Sequence, residues 1–319
     1  MHKCDDAAMK KLRCAVIGVG YLGKFHAQKY AELEHAELVA VVDANIEQAK
    51  KIAGQLNCLA LANYQDLANK VDAVSIVTPT KTHFTIAQFC LDQQIHTLLE
   101  KPMTTTVTEA NKLIDLAKQH RLILQIGHLE RFNSAITALE PILKTPKFIE
   151  SYRIAPFTLR GSDVNVVLDL MIHDIDLIQH LVDAEIKSIV ANGAPILSTE
   201  IDIANARIEF NNGSVANVTA SRAGTKQERS MRIFQEDAYI AVNLQHKSCT
   251  IYKKGKGEMF PGIPDIQMET LQLAENDAIK DEIKAFLHSI TKNKPAIVPG
   301  EAGKLALETA AKITAIVGA

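Results

Sequence analysis

Short runs of apolar residues alternate with longer amphipathic segments throughout the first 126 residues. The short runs predict buried strands, and apolar positions that recur every three or four residues predict helices. The predicted strands are 15–17, 37–42, 71–77, 95–99 and 122–126, and the predicted helices are 24–34, 46–56, 83–93 and 108–119. Because strands and long helices alternate, we expect a parallel sheet with helices on both faces.

The pattern changes after residue 127. A predicted helix at 130–143 leads to a strand at 147–156 and a long helix at 164–181. Further strands follow at 189–191, 203–210, 214–221, 230–235, 238–243 and 249–252, then a loop at 261–264 and closing helices at 271–291 and 300–317. The turn Asn211-Asn212-Gly213 joins two strands as a hairpin. We therefore expect an α/β protein whose second domain, 129–319, is α+β with a large, mostly antiparallel open sheet.

Three glycines follow the first predicted strand. Gly18, Gly20 and Gly23 have the G-x-G-x-x-G spacing and lead into a predicted helix. Gly18 permits a tight turn, Gly20 lets a pyrophosphate approach the backbone, and Gly23 lets the helix pack on the strand. Asp43 lies twenty residues after Gly23, where an acid binds the adenosine ribose and disfavours a 2′-phosphate. Residues 1–128 are thus predicted to be a Rossmann domain that binds NAD rather than NADP; the alternative is a structural turn followed by a surface acid.

Polar residues end the other strands of this predicted sheet. Thr78-Pro79-Thr80 follows the third strand, Glu100-Lys101-Pro102 the fourth, and Gly127 the fifth. Since ligands of parallel sheets bind beyond the carboxyl ends of the strands, one nucleotide could meet all of them. Lys101 precedes a proline that biases it away from helix, so its side chain could point into the cleft; the alternative is a surface lysine.

The helix predicted at 164–181 carries a row of polar residues. Asp169, His173, Asp176 and His180 fall on one face. Asp169, one turn before His173, could hold its imidazole and raise its basicity. One alternative is a solvated face. Another is a metal site of His173, Asp174 and Asp176, but the two aspartates project away from one another on a helix, so we expect no metal.

Composition narrows the class of protein. The 319 residues suit two domains, and the hydrophobic fraction of 47% and charged fraction of 23% are typical of a soluble globular protein. A net charge of −2 without long charge runs gives no reason to expect nucleic acid, and no apolar stretch is long enough to predict a membrane span. The N-terminus lacks the apolar core of a signal peptide, and the five cysteines form no CxxC pair. We expect a reduced, cytoplasmic protein.

Three motifs together resemble the glucose–fructose oxidoreductase/inositol dehydrogenase (Gfo/Idh/MocA) family. They are the glycine turn at 18–23, Glu100-Lys101-Pro102 and Asp169-x-x-x-His173. The resemblance covers nearly the whole chain and implies that 129–319 binds the substrate and forms oligomers, as a homodimer or homotetramer. It implies that Lys101 and His173 are catalytic and that Asp169 is their polar neighbour.

A narrower resemblance points to a substrate class. Residues 127–133, 167–176 and 232–239 are similar to a subgroup that oxidises UDP-N-acetylglucosamine at C3. Arginines of the second domain, Arg153, Arg160, Arg222 and Arg229, could include ligands of a diphosphate; the alternative is that they are surface arginines. The predicted substrate residues are Arg131, Arg153, Arg160, Asn165 and His173.

The resemblance leads to a mechanism in which His173 takes the proton of a sugar hydroxyl while NAD accepts the hydride. Lys101 would stabilise the alkoxide, or would itself be the base. The predicted cofactor-binding residues are Gly18, Val19, Gly20, Tyr21, Leu22, Gly23, Asp43, Thr78, Pro79, Thr80, His83, Glu100, Lys101 and His128. The alternatives are a dehydrogenase of another sugar or a cyclitol, and a non-catalytic dinucleotide-binding regulator, against which the presence of both Lys101 and His173 counts.

Overall fold

The computed structural model describes residues 11–158, 164–273 and 275–318. These residues form two compact units. The first unit contains residues 11–129 and Ile279–Lys304, and the second contains the described residues of 130–278 and 305–318. This division differs from the boundaries expected from the sequence, because 279–304 packs with the first unit and not with the rest of 129–319.

A six-stranded parallel sheet is the centre of the first unit, with strand order β3-β2-β1-β4-β5-β6. Its strands are β1 (Leu12–Ile17), β2 (Ala36–Val42), β3 (Leu59–Leu61), β4 (Ala73–Ile76), β5 (His96–Glu100) and β6 (Leu124–Gly127). The helices between them are α1 (Gly23–Glu32), α2 (Ile46–Leu56), α3 (His83–Asp92) and α4 (Val107–His120). This is the strand order of the Rossmann fold, so the predicted fold is confirmed.

The strand order reverses at β1, which pairs with β2 on one side and β4 on the other. In doubly wound sheets this reversal opens a crevice at the carboxyl ends of the strands, where ligands bind. The local sequence fixes the neighbouring helices. Asn45 caps α2 by accepting the Glu47 N–H, and Thr106 and Glu109 form a capping box at α4.

An eight-stranded sheet forms the second unit, with strand order β14-β13-β12-β11-β7-β10-β9-β8. Its strands are β7 (Phe148–Ile154), β8 (Ile186–Ala194), β9 (Ile203–Phe210), β10 (Val215–Ser221), β11 (Glu228–Phe234), β12 (Ala238–Asn243), β13 (Ser248–Phe260) and β14 (Ile263–Gln272). The helices that follow β6 are α5 (Ser134–Thr137), α6 (Ile172–Val182), α7 (Ala278–Lys292) and α8 (Gly300–Val317). All neighbouring strands are antiparallel except β7 and β10, which confirms a mostly antiparallel open sheet.

Several predicted elements have other bounds in the structure. The helix predicted at 130–143 is only the turn Leu129–Phe132 and the short α5. The helix predicted at 271–291 is the end of β14 followed by α7, because the apolar spacing near Leu271 and Leu273 suits a strand as well as a helix. The predicted loop at 261–264 is the tip of the β13–β14 hairpin. Within the described ranges, no helix combines the length and apolarity needed to span a bilayer, and Cys14, Cys58, Cys90 and Cys249 form no disulfide.

Candidate active site

The glycine turn lies at the carboxyl end of β1. Gly18 has φ +86°, and a Cβ there would lie 2.5 Å from the Val77 carbonyl oxygen. A Cβ on Gly23 would lie 1.8 Å from the Gly18 carbonyl oxygen. A Cβ on Gly20 would meet no protein atom within 4 Å. The fold itself therefore demands Gly18 and Gly23, whereas the open space at Gly20 fits the close approach of a ligand such as the pyrophosphate of NAD.

Asp43 lies beside this turn at the end of β2. Its Oδ2 accepts the Val19 N–H at 3.0 Å, and its Oδ1 accepts the Asn45 N–H at 2.9 Å. Gln48 donates to the Val19 carbonyl at 2.8 Å, so the turn is held by both β2 and α2. These bonds fix a carboxylate next to the predicted pyrophosphate site, where the adenosine ribose of NAD would lie. Of the other predicted turn residues, Leu22 precedes α1 and Tyr21 is 66% exposed.

His83 connects the segments that follow β4 and β5. Its Nε2 lies 2.8 Å from the Thr78 carbonyl oxygen, and its Nδ1 lies 2.9 Å from the Pro102 carbonyl oxygen. Burial lowers the pKa of His83, although both contacts act in the opposite direction. Pro79 and Thr80 lie between Thr78 and His83 in the chain, and Thr80 begins a helical turn. The two backbone contacts of His83 hold the predicted nicotinamide side of the crevice together.

Glu100 and Lys101 lie at the end of β5. The Glu100 carboxylate accepts the Lys101 N–H at 3.1 Å, and the Lys101–Pro102 peptide bond is cis. A Cβ on Gly127, which pairs with Glu100 in the adjacent strand, would lie 2.8 Å from a Glu100 carboxylate oxygen. Glycine at 127 therefore leaves the room that this carboxylate occupies. His128, the next residue, is 1% exposed.

In the second unit, the segment that carries Asp169 and His173 begins with a π-helical turn. This turn covers Val167–Met171, and α6 continues from Ile172. Its start is capped by Asn165, whose side-chain oxygen accepts the Leu168 N–H at 3.0 Å. π-Helical turns inside helices are frequent at functional sites. The predicted single α-helix at 164–181 is thus corrected to a π-helical turn followed by α6; Asp169 lies in that turn and the half-buried His173 in the first turn of α6.

The two aspartates after His173 hold arginines. Arg153 Nε lies 2.5 Å from Asp174 Oδ2, and Arg131 Nε lies 2.6 Å from Asp176 Oδ2. Arg153 also contacts Glu130 at 2.8 Å. Burial is the largest single influence and would raise the pKa of Glu130, but the charge and hydrogen bond of Arg153, together with Asn133 and Arg229, keep the pKa below its ordinary value. Each aspartate pairs with a different arginine. The row of polar residues expected from the sequence is therefore not one continuous polar face, because Asp176 is buried in an ion pair.

The predicted substrate arginines therefore differ in what they contact. Arg131 and Arg153 lie in the buried ion pairs just described, with side chains 8% and 4% exposed. Arg222 lies 2.6 Å from the buried Asp202, and Arg160 lies outside the described residues. Arg229, by contrast, has a side chain 43% exposed.

Sequence reasoning did not single out two buried polar residues of the first unit. His26 is 1% exposed in α1, and Glu282 is fully buried in α7. With Glu100 they form the one group of three among the described residues whose ligand atoms could hold a metal ion. The available signal was a charged or titratable side chain between apolar neighbours on a helix, such as Glu282 beside Ile283 and Phe286.

The comparisons with known proteins agree with this geometry. Residues 12–128 match the family model described as "Oxidoreductase family, NAD-binding Rossmann fold" (GFO/IDH/MocA), and residues 154–241 match the GFO/IDH/MocA C-terminal domain. A UDP-N-acetylglucosamine 3-dehydrogenase from Acidithiobacillus ferrooxidans is 41% identical over 98% of this chain and 99% of its own length. A scyllo-inositol 2-dehydrogenase (NAD(+)) from Bacillus subtilis is 28% identical over 90% of this chain and 89% of its own.

Solved structures show the same relation. The structure of the Acidithiobacillus enzyme covers 97% of this chain and 98% of its own, with a TM-score of 0.92. A scyllo-inositol dehydrogenase from Lactobacillus casei with bound NAD(H) and scyllo-inositol is 21% identical, covers 97% of each chain and has a TM-score of 0.80. At that identity the second likeness concerns the fold alone.

Proposed function

We propose that this chain, which belongs to the Gfo/Idh/MocA family of NAD-binding oxidoreductases, oxidises the 3-hydroxyl of UDP-N-acetylglucosamine to a ketone. The chain is an NAD-dependent oxidoreductase. The open space at Gly20 and the Asp43 carboxylate beside the glycine turn support our placement of this cofactor. The observation that carries the substrate proposal is the 41% identity to a UDP-N-acetylglucosamine 3-dehydrogenase over nearly the full length of both chains.

Three residues have the chemistry of the reaction. We propose that His173 takes the proton of the 3-hydroxyl and that the Lys101 ammonium stabilises the developing alkoxide. NAD⁺, when bound, accepts the hydride from C3. Asp169, on the π-helical turn before His173, would orient the His173 imidazole. These roles are supported by the family motifs and by the capped turn that positions Asp169 and His173.

Arg229 is our candidate for the diphosphate of the substrate. It lies opposite Arg153 in the register of β7 and β11. Burial lowers the pKa of Arg229, and the charge of Arg153 adds to this effect. A guanidinium in such a position is stabilised by an anion, and it is not held by a short ion pair: its contact with Glu130 is 3.8 Å. Arg131 and Arg153, by contrast, would support the substrate site through the carboxylates they hold.

Two finer statements belong to the same proposal. We propose a homodimer or homotetramer, because several large apolar side chains of the β13–β14 hairpin are exposed, namely Met259, Phe260, Ile263, Ile266 and Met268. Light scattering would test this, and a monomer at micromolar concentration would contradict it. We also propose a cytoplasmic location, supported by the buried free thiols of Cys14, Cys90 and Cys249.

The test of the substrate is a panel of UDP-sugars, inositols and free hexoses incubated with NAD⁺. Because a 3-ketone is readily enolised and its formation is unfavourable, the product should be detected directly, either by mass spectrometry as a species two hydrogens lighter than the substrate or by trapping with a hydrazine. We expect trapped ketone from UDP-N-acetylglucosamine, and far less from free N-acetylglucosamine, since remote binding of the diphosphate holds the sugar in place.

Two variants make this test specific. Arg229→Gln should raise KM for UDP-N-acetylglucosamine at least tenfold and leave NAD⁺ affinity unchanged. Arg232→Gln is the matched control, because Arg232 lies three positions along the same strand, is 53% exposed and pairs with Glu150. Ready reduction of NAD⁺ by an inositol or a free hexose, with no ketone from any UDP-sugar, would refute the substrate proposal.

A further inference from the structure

Three titratable side chains meet inside the first unit. His26 comes from α1, Glu100 from the end of β5, and Glu282 from α7. One ring nitrogen of His26 and one carboxylate oxygen of each glutamate all lie within 4.8 Å of one another. His26 is 1% exposed and Glu282 is 0% exposed. Two carboxyl groups are thus held close together: that of Glu282 is fully buried, and the Glu100 side chain is 12% exposed.

The hydrogen bonds of the two carboxyl groups differ. Glu100 accepts the Lys101 N–H, and its other oxygen faces His26 Nε2 at 3.5 Å. Within the described part of the chain, neither carboxylate oxygen of Glu282 has a hydrogen-bond partner, and neither ring nitrogen of His26 has one. An ionised carboxylate without donors is among the costliest groups to bury, whereas a neutral carboxylic acid is far cheaper.

Charge repulsion acts in the same direction. Burial raises the pKa of Glu282, and the charge of Glu100 raises it further. A negative charge on Glu282 is therefore opposed both by burial and by the neighbouring carboxylate. The proton belongs on Glu282, because among the described residues no donor reaches its carboxyl oxygens, whereas Glu100 accepts a backbone N–H and lies close to His26.

We propose that Glu282 is a positioning residue of the cofactor site, which stays protonated at neutral pH and so lets the Glu100 carboxylate keep its place beside His26 without a second negative charge to repel it. Glu100 in turn fixes the backbone of Lys101 through the hydrogen bond to its N–H. The proposal rests on the proposed placement of Glu100 beside the nicotinamide ribose. It does not depend on which sugar is oxidised, so its test uses NAD⁺ without a sugar.

A divalent cation is the rival explanation, because it would also neutralise two carboxylates. Structural zinc sites use four protein ligands, and this group offers three. A proton, in contrast, is available from water and needs no further ligand. The observations therefore favour the proton, and metal content is one outcome of the test.

Other titratable groups near these residues respond at different pH values. Tyr30 follows His26 by one turn and shares a hydrogen bond with Ser75 at 2.9 Å, and Cys14 lies on β1. Burial raises the pKa of both, so both remain neutral well above neutral pH. Burial lowers the pKa of His83, whose imidazole is also influenced by Glu100.

The first experiment measures NAD⁺ affinity by calorimetry between pH 6.5 and 9.5. E282Q imitates the neutral acid, so its dissociation constant at pH 7 should be within twofold of the wild type. As the pH rises, the wild type should lose affinity through ionisation of Glu282, and E282Q should lose less. E282A should bind NAD⁺ at least tenfold more weakly, and glutamine at the same position restores binding. E301Q is the control, because Glu301 is a half-exposed glutamate that pairs with Lys118.

The second experiment observes the proton directly, by NMR of protein labelled with ¹³C at the glutamate side-chain carboxyl carbon. One resonance should titrate above neutral pH, and it should be missing from E282Q. Tenfold weaker NAD⁺ binding by E282Q at pH 7, or a Glu282 resonance already ionised at pH 6.5, would overturn the proposal. So would one equivalent of zinc or manganese in the purified wild type whose removal by EDTA weakens NAD⁺ binding. If E282A does not fold, the NAD⁺ affinity of E282Q and the NMR titration still test the proposal.

Discussion

Two glycines of the turn, Gly20 and Gly18, should respond to alanine in opposite ways. Gly20→Ala adds a methyl group where no protein atom lies within 4 Å, and its backbone is outside the left-handed region. The protein should keep its stability or gain about 0.4–1 kcal/mol, because alanine restricts the unfolded chain. A methyl group in contact with a bound pyrophosphate, however, should break a charge-assisted hydrogen bond, which contributes about 1.5–3 kcal/mol. NAD⁺ affinity should therefore fall about tenfold to 150-fold.

Gly18→Ala should do the reverse and damage the fold. Its φ of +86° is strained for alanine by about 1–3 kcal/mol, and the new Cβ would lie 2.5 Å from the Val77 carbonyl oxygen. We expect a loss of at least about 2 kcal/mol in the free energy of unfolding. Gly54→Ala is the matched control, because this glycine lies inside α2 with open space around it. It should leave NAD⁺ affinity unchanged and raise stability slightly.

The assays are urea unfolding for stability and calorimetry for NAD⁺ affinity, both on all three variants. Unchanged affinity in Gly20→Ala would refute the inference that the cofactor approaches this backbone. Wild-type stability in Gly18→Ala would refute the steric argument for the turn.

The remaining predictions concern the cofactor, the catalytic pair and acid stability. NAD⁺ should bind at least tenfold tighter than NADP⁺, and Asp43→Ser should narrow that gap; equal affinities in the wild type would show that Asp43 is not at the ribose. Lys101→Ala and His173→Ala should each lower kcat by about two to four orders of magnitude with NAD⁺ binding largely intact, and near-normal turnover of both would contradict their roles. His96 accepts the Ile123 N–H at 2.9 Å, and burial lowers its pKa. Below about pH 6.5 the unfolded chain therefore binds more protons than the folded chain, so the free energy of unfolding should be largest above that pH and fall as the pH is lowered. In urea titrations at pH 7.5 and 5.5, His96→Asn should remove the part of this fall that His96 causes.

Much of the first unit follows from the sequence, because its signals are local. Buried parallel strands are short apolar runs, and glycine spacing reports a backbone conformation that only glycine adopts, as at Gly18. The Asp43 carboxylate is also where the motif predicts it, beside the turn. That residues 279–304 pack with this unit could not be inferred from the sequence. The pattern of an amphipathic helix shows that one face is apolar, but it does not show which sheet covers that face.

The structure of the second unit is harder to predict from the sequence, for two physical reasons. The hairpin of β13 and β14 exposes most of its residues, so the alternation that marks a half-buried strand is weak there. The π-helical turn at Val167–Met171 is also invisible to periodicity, because inserting a wider turn changes the spacing by about one residue. That turn contains Asp169. An irregularity that the sequence does not predict therefore lies at the Asp169–His173 motif, which the sequence does predict.

The arginines of the second unit show where sequence reasoning must stop. Arg153 and Arg229 lie opposite one another on adjacent strands, and either could be inferred as a ligand of a diphosphate. Arg153 is instead enclosed between Glu130 and Asp174, and removing it would take the closest cation from two buried carboxylates, at a cost of about 3–5 kcal/mol. Loss of activity in an Arg153 variant would therefore report the loss of support for α6. Exposure separates the two roles: an anion can reach the guanidinium of Arg229 without first breaking a buried ion pair.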